Sequence, residues 1–169
     1  PGTVGFNWME SQTSFSQGKV AMWIDGIGFS APLIDPTKSR VAKDIGFSPV
    51  PPGPKAQHSA TFCSGLSIPV ATKKKLPAWL YIQWAASKEM GKEQIRLGAG
   101  TPPRVSVWED AAVQKASPFP KEWFETSLTC QKIGRPGLPE IVSVTEFRDV
   151  FGIALTNTLN VPRVANGVI

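Results

Sequence analysis

Apolar and polar positions change their period several times along the chain, and the changes mark out its elements. Residues 8–16, W-M-E-S-Q-T-S-F-S, space their apolar groups for a short helix that Gly18 stops. The next stretch, V-A-M-W-I-D-G over 20–26, opens as a continuous apolar run. It predicts a strand over Val20–Ile24 that delivers Asp25-Gly26 at its tip. The loop D-G-I-G-F-S-A-P-L follows, leading to a turn at Asp35-Pro36. I-G-F-S-P-V at 45–50 reads as a second strand closed by P-P-G-P, and Gly65–Val70 as a third, with Pro69 holding it to an edge or strand end.

The second half is more helical. Pro77 suits a first helical turn, and A-W-L-Y-I-Q-W-A-A-S sets Leu80, Trp84 and Ala85 on one face. That face predicts a buried Trp84. Ser87 caps a further helix, E-M-G-K-E-Q-I-R-L, that stops at Gly98. T-P-P-R-V-S-V reads as extended, because proline disfavours helix in the residue before it. Glu109-Asp110 open a helix rather than form an acid/base pair, since adjacent side chains point in different directions. Residues 121–130 and 144–159 are helices, and G-R-P-G-L-P-E between them is a rigid linker. Strands and helices interleave, which predicts a mixed α/β fold rather than a sandwich or a bundle.

Composition narrows the function. Of 169 residues 41% are hydrophobic, enough to bury a core. No apolar stretch approaches the roughly 18 residues that cross a bilayer, and no signal peptide is visible. The net charge of +5 is scattered, with Lys73-Lys74-Lys75 as the one run, so nucleic acid is not the expected partner. The chain lacks G-x-S-x-G, H-E-x-x-H, a Walker loop and Cys-x-x-Cys. Two cysteines, Cys63 and Cys130, are compatible with a disulfide or with two free buried thiols, and cannot hold zinc alone. The single histidine, His58, is the only imidazole base available to Cys63. No metal and no cofactor is expected. Six tryptophans are many for this length. Trp79 and Trp84 read as core. Trp23 beside Asp25 has a second reading, because an aromatic face packs on the C–H face of a sugar while a carboxylate takes its hydroxyls. The plainer reading makes Trp23 core and Asp25 the start of a turn.

Six segments stand in one order: F-S-Q-G-K-V-A-M-W-I-D-G, I-G-F-S-P-V-P-P-G-P, S-G-L-S-I-P-V-A-T-K-K-K, A-W-L-Y-I-Q-W-A-A-S-K-E, T-P-P-R-V-S-V-W-E-D and R-P-G-L-P-E-I. Together they resemble the C-terminal half of extracellular solute-binding proteins of ABC importers, the family that includes sugar, sugar-alcohol and maltose binders. The resemblance runs from about residue 6 to 159. It implies a periplasmic-binding-protein-like α/β fold of two hinged lobes with the ligand in the cleft between them. Residues 1–62 would belong to the C-terminal lobe, 63–100 to the N-terminal lobe, and 101–169 would return to the C-terminal lobe. It also implies ligand contacts from Trp23, Asp25, Gly26 and Phe29, from Ser64 and Gly65 at the crossover, from Arg104 at the cleft rim, and from Glu146 or Arg148.

The implied function is non-enzymatic binding of a carbohydrate or polyol for an ABC permease, in the periplasm or as a membrane-anchored lipoprotein outside a Gram-positive cell. Two rivals stand beside it: a cysteine-dependent enzyme using Cys63, and a structural or interaction domain that keeps the fold without a ligand. The chain departs from the family pattern in three ways. Whole members are more than twice as long, I-G follows the D-G tip where an aromatic is usual (Phe29 substituting), and V-P-R-V-A-N-G-V-I replaces a closing helix. A fragment of this kind is expected to pair its orphan surfaces as a homodimer or domain swap.

Overall fold

A computed structural model describes residues 3–160. The last nine residues, V-P-R-V-A-N-G-V-I, lie outside the described residues. Eight α-helices are the main regular elements of the described chain: α1 Trp8–Ser16, α2 Ala31–Ile34, α3 Lys75–Ala85, α4 Lys88–Arg96, α5 Val105–Trp108, α6 Ala111–Ala116, α7 Lys121–Lys132 and α8 Val144–Asn160. Short 3-10 turns cover Thr3–Gly5 and Ile27–Phe29. The sheet is small: β1 Ser59–Thr61 pairs in parallel with β2 Gly134–Pro136, with Ser59 opposite Gly134 and Thr61 opposite Pro136.

Local chemistry explains the helix ends. Asn7 caps α1 by accepting the Met9 N–H at 2.7 Å, while the Glu10 carboxylate accepts the Asn7 N–H at 3.0 Å. This reciprocal pair satisfies two N–H groups that a helix start otherwise leaves open. Ser87 and Asp110 cap α4 and α6 in the same sense. Helix α4 ends as expected at Gly98, whose φ of +64° only glycine adopts freely. The Gly98 and Ala99 N–H groups turn back onto the Ile95 and Gln94 carbonyls, which closes the last turn, and α1 ends on Gly18 with the same pattern.

The core lies where α4, α5, α6 and α7 meet. Ile95 and Val107 are fully buried, and Trp108, Phe119, Trp123 and Phe124 nearly so. The aromatics form one stack: Phe119 lies on Trp123 at 4.1 Å between ring centroids, and Trp123 on Trp108 at 5.0 Å. Phe124 meets both indoles edge-on. Such arrangements set the positive ring edge against a negative face and add about 0.5–1.5 kcal/mol per pair beyond area burial. Gly91 lets α4 approach this core closely, since a Cβ there would meet Val107 and Pro102 at 3.1 Å. Across the outside, Asp110 holds the Lys92 ammonium at 2.8 Å and the Lys88 ammonium at 3.8 Å, joining α4 to the start of α6.

Several sequence expectations fail here. None of the three expected strands forms. Residues 20–24, 45–50 and 65–70 carry no ladder, and Met22 is 82% exposed. A strand makes no hydrogen bonds within itself, and no described segment lies alongside these to complete a ladder. The observed sheet draws instead on residues 134–136, which read as a linker. Val105–Trp108 is helical rather than extended, with Arg104 at its start. Proline constrains only the residues up to Pro103, so the turn after it is free to coil. Trp84 is 54% exposed, and Leu76, Trp79, Leu80 and Tyr81 share that exposure, so α3 buries no side chain fully. Its apolar residues surround the helix and only α4 packs closely against it. The α/β expectation therefore stands in reduced form: among the described residues helices dominate, with one two-stranded parallel sheet.

Ile95→Ala should cost about 2–5 kcal/mol in chemical denaturation of this chain, because it opens a cavity in a filled core. Trp84→Ala should stay within about 0.5 kcal/mol, as for other exposed positions. The Asp110 carboxyl titrates below its ordinary value, chiefly because the Lys92 side chain bonds it. A carboxylate depressed in the folded state stabilises above its unfolded pKa and loses that contribution as pH falls through the folded value. Melting temperature measured from pH 7 down to pH 3 should therefore fall less steeply in Asp110→Asn than in the parent, from a lower start at pH 7.

Candidate functional site

A hollow of about 120 Å3 opens between the end of α1, the 20–30 segment, the 45–48 segment and α7. Its walls include Phe15, Trp23, Asp25, Gly26, Phe47 and Thr126, with Ser30 and Ser48 adding hydroxyls. Trp23 lies 6.4 Å from Phe15 between ring centroids and is half-buried. Asp25 is exposed, and its Oδ1 accepts the N–H of Gly26 at 2.6 Å. That bond turns the carboxylate toward its own backbone and leaves Oδ2 without a hydrogen bond among the described residues. Thr126 on α7 donates to the Phe47 carbonyl at 3.1 Å and so ties the 45–48 wall to the core helix.

The tip itself is braced from both sides. The Phe29 N–H donates to the Gly26 carbonyl at 3.0 Å, closing the 3-10 turn after the D-G pair. The Gln12 side-chain amide on α1 donates to the Phe29 carbonyl at 2.7 Å. The Phe29 ring stacks on Trp8 at 4.7 Å, so it faces α1 and is not among the residues that wall the hollow.

Of the eight residues read from the sequence, Trp23, Asp25 and Gly26 share one hollow, and the other five stand elsewhere. Ser64 and Gly65 lie in an exposed, irregular segment. Arg104 is exposed, and its Nε donates to the Ala86 carbonyl at 2.6 Å, clasping the end of α3 to the start of α5. Glu146 is exposed in the first turn of α8. Sequence reasoning missed Phe15, Phe47, Ser48 and Thr126, which the fold collects from three separate segments. The aromatic-rich repeat of F-S at positions 15–16, 29–30 and 47–48 was the only signal for three of them.

Side chains elsewhere give little chemistry. Among the described residues no three of His, Cys, Asp and Glu cluster for a metal ion. Cys63 and Cys130 are both free, and Cys63 is exposed, so the buried-thiol reading fails for it. The Cys63 thiol reaches only the Ser64 carbonyl, at 3.9 Å, and no hydrogen bond joins it to His58. Along α8 a wider hollow of about 620 Å3 is lined, among the described residues, by that helix from Arg148 to Asn157. No described helix is long and apolar enough to cross a membrane.

Comparison with known proteins bears on this geometry. Residues 1–92 match the family of bacterial extracellular solute-binding proteins. A probable amino-acid ABC transporter periplasmic-binding protein of Sinorhizobium fredii is 29% identical over 120 residues, 70% of this chain and 26% of that protein. An erythritol/L-threitol-binding protein of Mycolicibacterium smegmatis is 27% identical, over 76% of this chain and 28% of its own length. A mannitol-binding protein of Pseudomonas aeruginosa is also 27% identical, over 95% of this chain and 41% of its own. The chain thus spans between about a quarter and two fifths of these relatives. No solved structure matches it. The family and all three relatives are named as binding proteins, not as enzymes.

Cys63 should accordingly react with a thiol reagent in the folded chain within seconds to minutes. Cys63→Ser should leave the melting temperature within about 1 °C of the parent, as expected for a surface change. Slow labelling that requires denaturant would contradict the exposure described here.

Proposed function

The chain belongs to the bacterial extracellular solute-binding family, and from that premise we propose that it is part of the substrate-binding component of an ABC importer for a sugar alcohol or related carbohydrate. What supports the ligand class is the hollow walled by Trp23, Asp25 and Gly26, where an aromatic face, a carboxylate with a free oxygen and the hydroxyl of Ser48 converge. A polyol leaves water only if its hydroxyls regain hydrogen bonds, and a carboxylate accepts the stronger ones. Its C–H face packs on an indole. Two of the relatives are named for erythritol/L-threitol and mannitol, which agrees with that chemistry.

On this reading the hollow is one half of a cleft. Ser64, Gly65, Arg104 and Glu146 contribute when a second lobe closes over the ligand, and residues 63–100 belong to that lobe. The exposed apolar residues of α3 support this, since soluble chains rarely leave such a surface uncovered. The closed, liganded form is then what the permease meets. The protein works in the periplasm, or tethered outside the membrane of a Gram-positive cell.

Titration calorimetry of the full-length protein with mannitol, erythritol and a panel of amino acids tests the proposal. Asp25→Ala should weaken the bound polyol about ten- to a hundredfold, the loss of one charge-assisted hydrogen bond of about 1.5–3 kcal/mol, with the unliganded melting temperature nearly unchanged. The 169-residue chain alone should bind far more weakly. Tight binding of an amino acid with no polyol bound would overturn the substrate class, and full affinity in Asp25→Ala would reduce Asp25 to a turn residue.

A further inference from the structure

We propose that Trp123, in the core and 98 positions after Asp25 in the chain, is a positioning residue for the Asp25-Gly26 tip. The inference rests on the tip being part of the ligand site. Trp123 is 1% exposed and lies in the middle of the aromatic stack, so its indole N–H has no access to water. That N–H donates to the Ser30 Oγ at 3.0 Å, with the Ile27 carbonyl at 3.4 Å as a second, weaker acceptor. The Ser30 hydroxyl in turn donates to the same Ile27 carbonyl. Both ends of the 3-10 turn Ile27–Phe29 are thereby held by one donor projecting from α7. The turn begins immediately after Gly26, and both Ile27 and Ser30 line the hollow with Asp25.

The physical case is one of obligation. A buried indole N–H without an acceptor costs more than the bond itself contributes, so the core cannot pack without engaging the turn. Ser30 is itself buried, at 3% exposure, and its hydroxyl has both donor and acceptor roles filled within this relay. The 20–26 segment that carries Trp23 and Asp25 has no strand ladder to hold it. Its downstream anchor is the turn, and the turn's buried anchor is Trp123. Gln12 braces the same turn from α1, but from an exposed position where water competes.

Trp123→Phe keeps an aromatic in the stack and removes only the donor. Ser30→Ala removes the acceptor and leaves the stack untouched. Phe119→Leu weakens the stack and leaves the donor in place. In amide hydrogen exchange of the unliganded chain, the first two variants should each speed exchange at Phe29 and Ser30 by about tenfold. Phe119→Leu should lower the melting temperature without selectively speeding those two amides. Unchanged exchange at Phe29 and Ser30 in Ser30→Ala, or selective acceleration as large in Phe119→Leu, would overturn the tether. If Trp123→Phe fails to fold, Ser30→Ala carries this arm by itself.

Mannitol titration of full-length protein, or erythritol where mannitol does not bind the parent, supplies the functional arm. Ser30→Ala and Trp123→Phe should weaken binding about three- to tenfold, with the double variant no worse than the weaker single one, since both break one relay. Loss of affinity in Asp25→Ala together with full affinity in Ser30→Ala would sink the positioning role while leaving the proposed site intact. Full affinity in Asp25→Ala would sink the site reading instead, and the exchange measurement would still decide the tether.

Discussion

The burial of Trp123 is the constraint around which this chain is arranged. Its ring is the one that touches the other three large core aromatics, Phe119, Trp108 and Phe124. Its N–H must nevertheless find an acceptor in a place without water. The chain meets that demand with Ser30 and Ile27, residues from far upstream, so satisfying the core also fixes the segment before Ser30 against the helical half. Trp108 solves the same problem locally, donating to the Pro102 carbonyl at 2.8 Å, and thereby pins the loop that precedes α5. Two indoles thus convert a non-directional apolar cluster into a directional framework.

The rest of the molecule is held more loosely, and the reason is a shortage of backbone partners. Three apolar runs that read as strands in the sequence are unpaired among the described residues, whose only ladder is three residues long. Without a sheet to lie on, α3 and α8 leave much of their apolar surface in solvent. The charged groups do not compensate. Lys92 with Asp110, Arg96 with Glu93 and Lys121 with Glu125 are pairs on the surface, screened by water, and contribute modestly. Such a distribution, one dense core beside exposed apolar helices, fits a chain that spans less than half of each relative's length.

That distribution also bears on binding. The walls of the hollow at the Asp25 tip include elements tied to the core through Thr126 and Trp123. Under the function proposed above, a hollow tied to the core in this way would be the pre-organised base of one half of a hinged cleft. Rigidity at the base lowers the ordering cost when ligand arrives, while the open side leaves room for entry.

Local elements were legible because their causes are local. The Gly18 stop of α1, the Ser87 cap and Gly98 stop of α4, the opening of α6 at Asp110 and the reach of α7 and α8 all follow from neighbours within a few positions. The order of six short segments was legible for a different reason: together they carried the family, which no single one could. Trp23, Asp25 and Gly26 were read together because they lie within four positions, and the fold keeps them in one hollow. Only tertiary structure decided which apolar runs became strands, because a strand needs a partner that sequence pattern does not name. It decided that Trp84 stays in solvent while Trp123 and Trp108 are buried, since burial depends on what lies opposite, not on the residue's own periodicity. It also decided that Phe47 and Thr126 face the same hollow as Asp25 and that Phe29 turns toward Trp8. Those placements arise from contacts between segments far apart in the chain, and the strongest of them is set by one indole N–H that had to be satisfied.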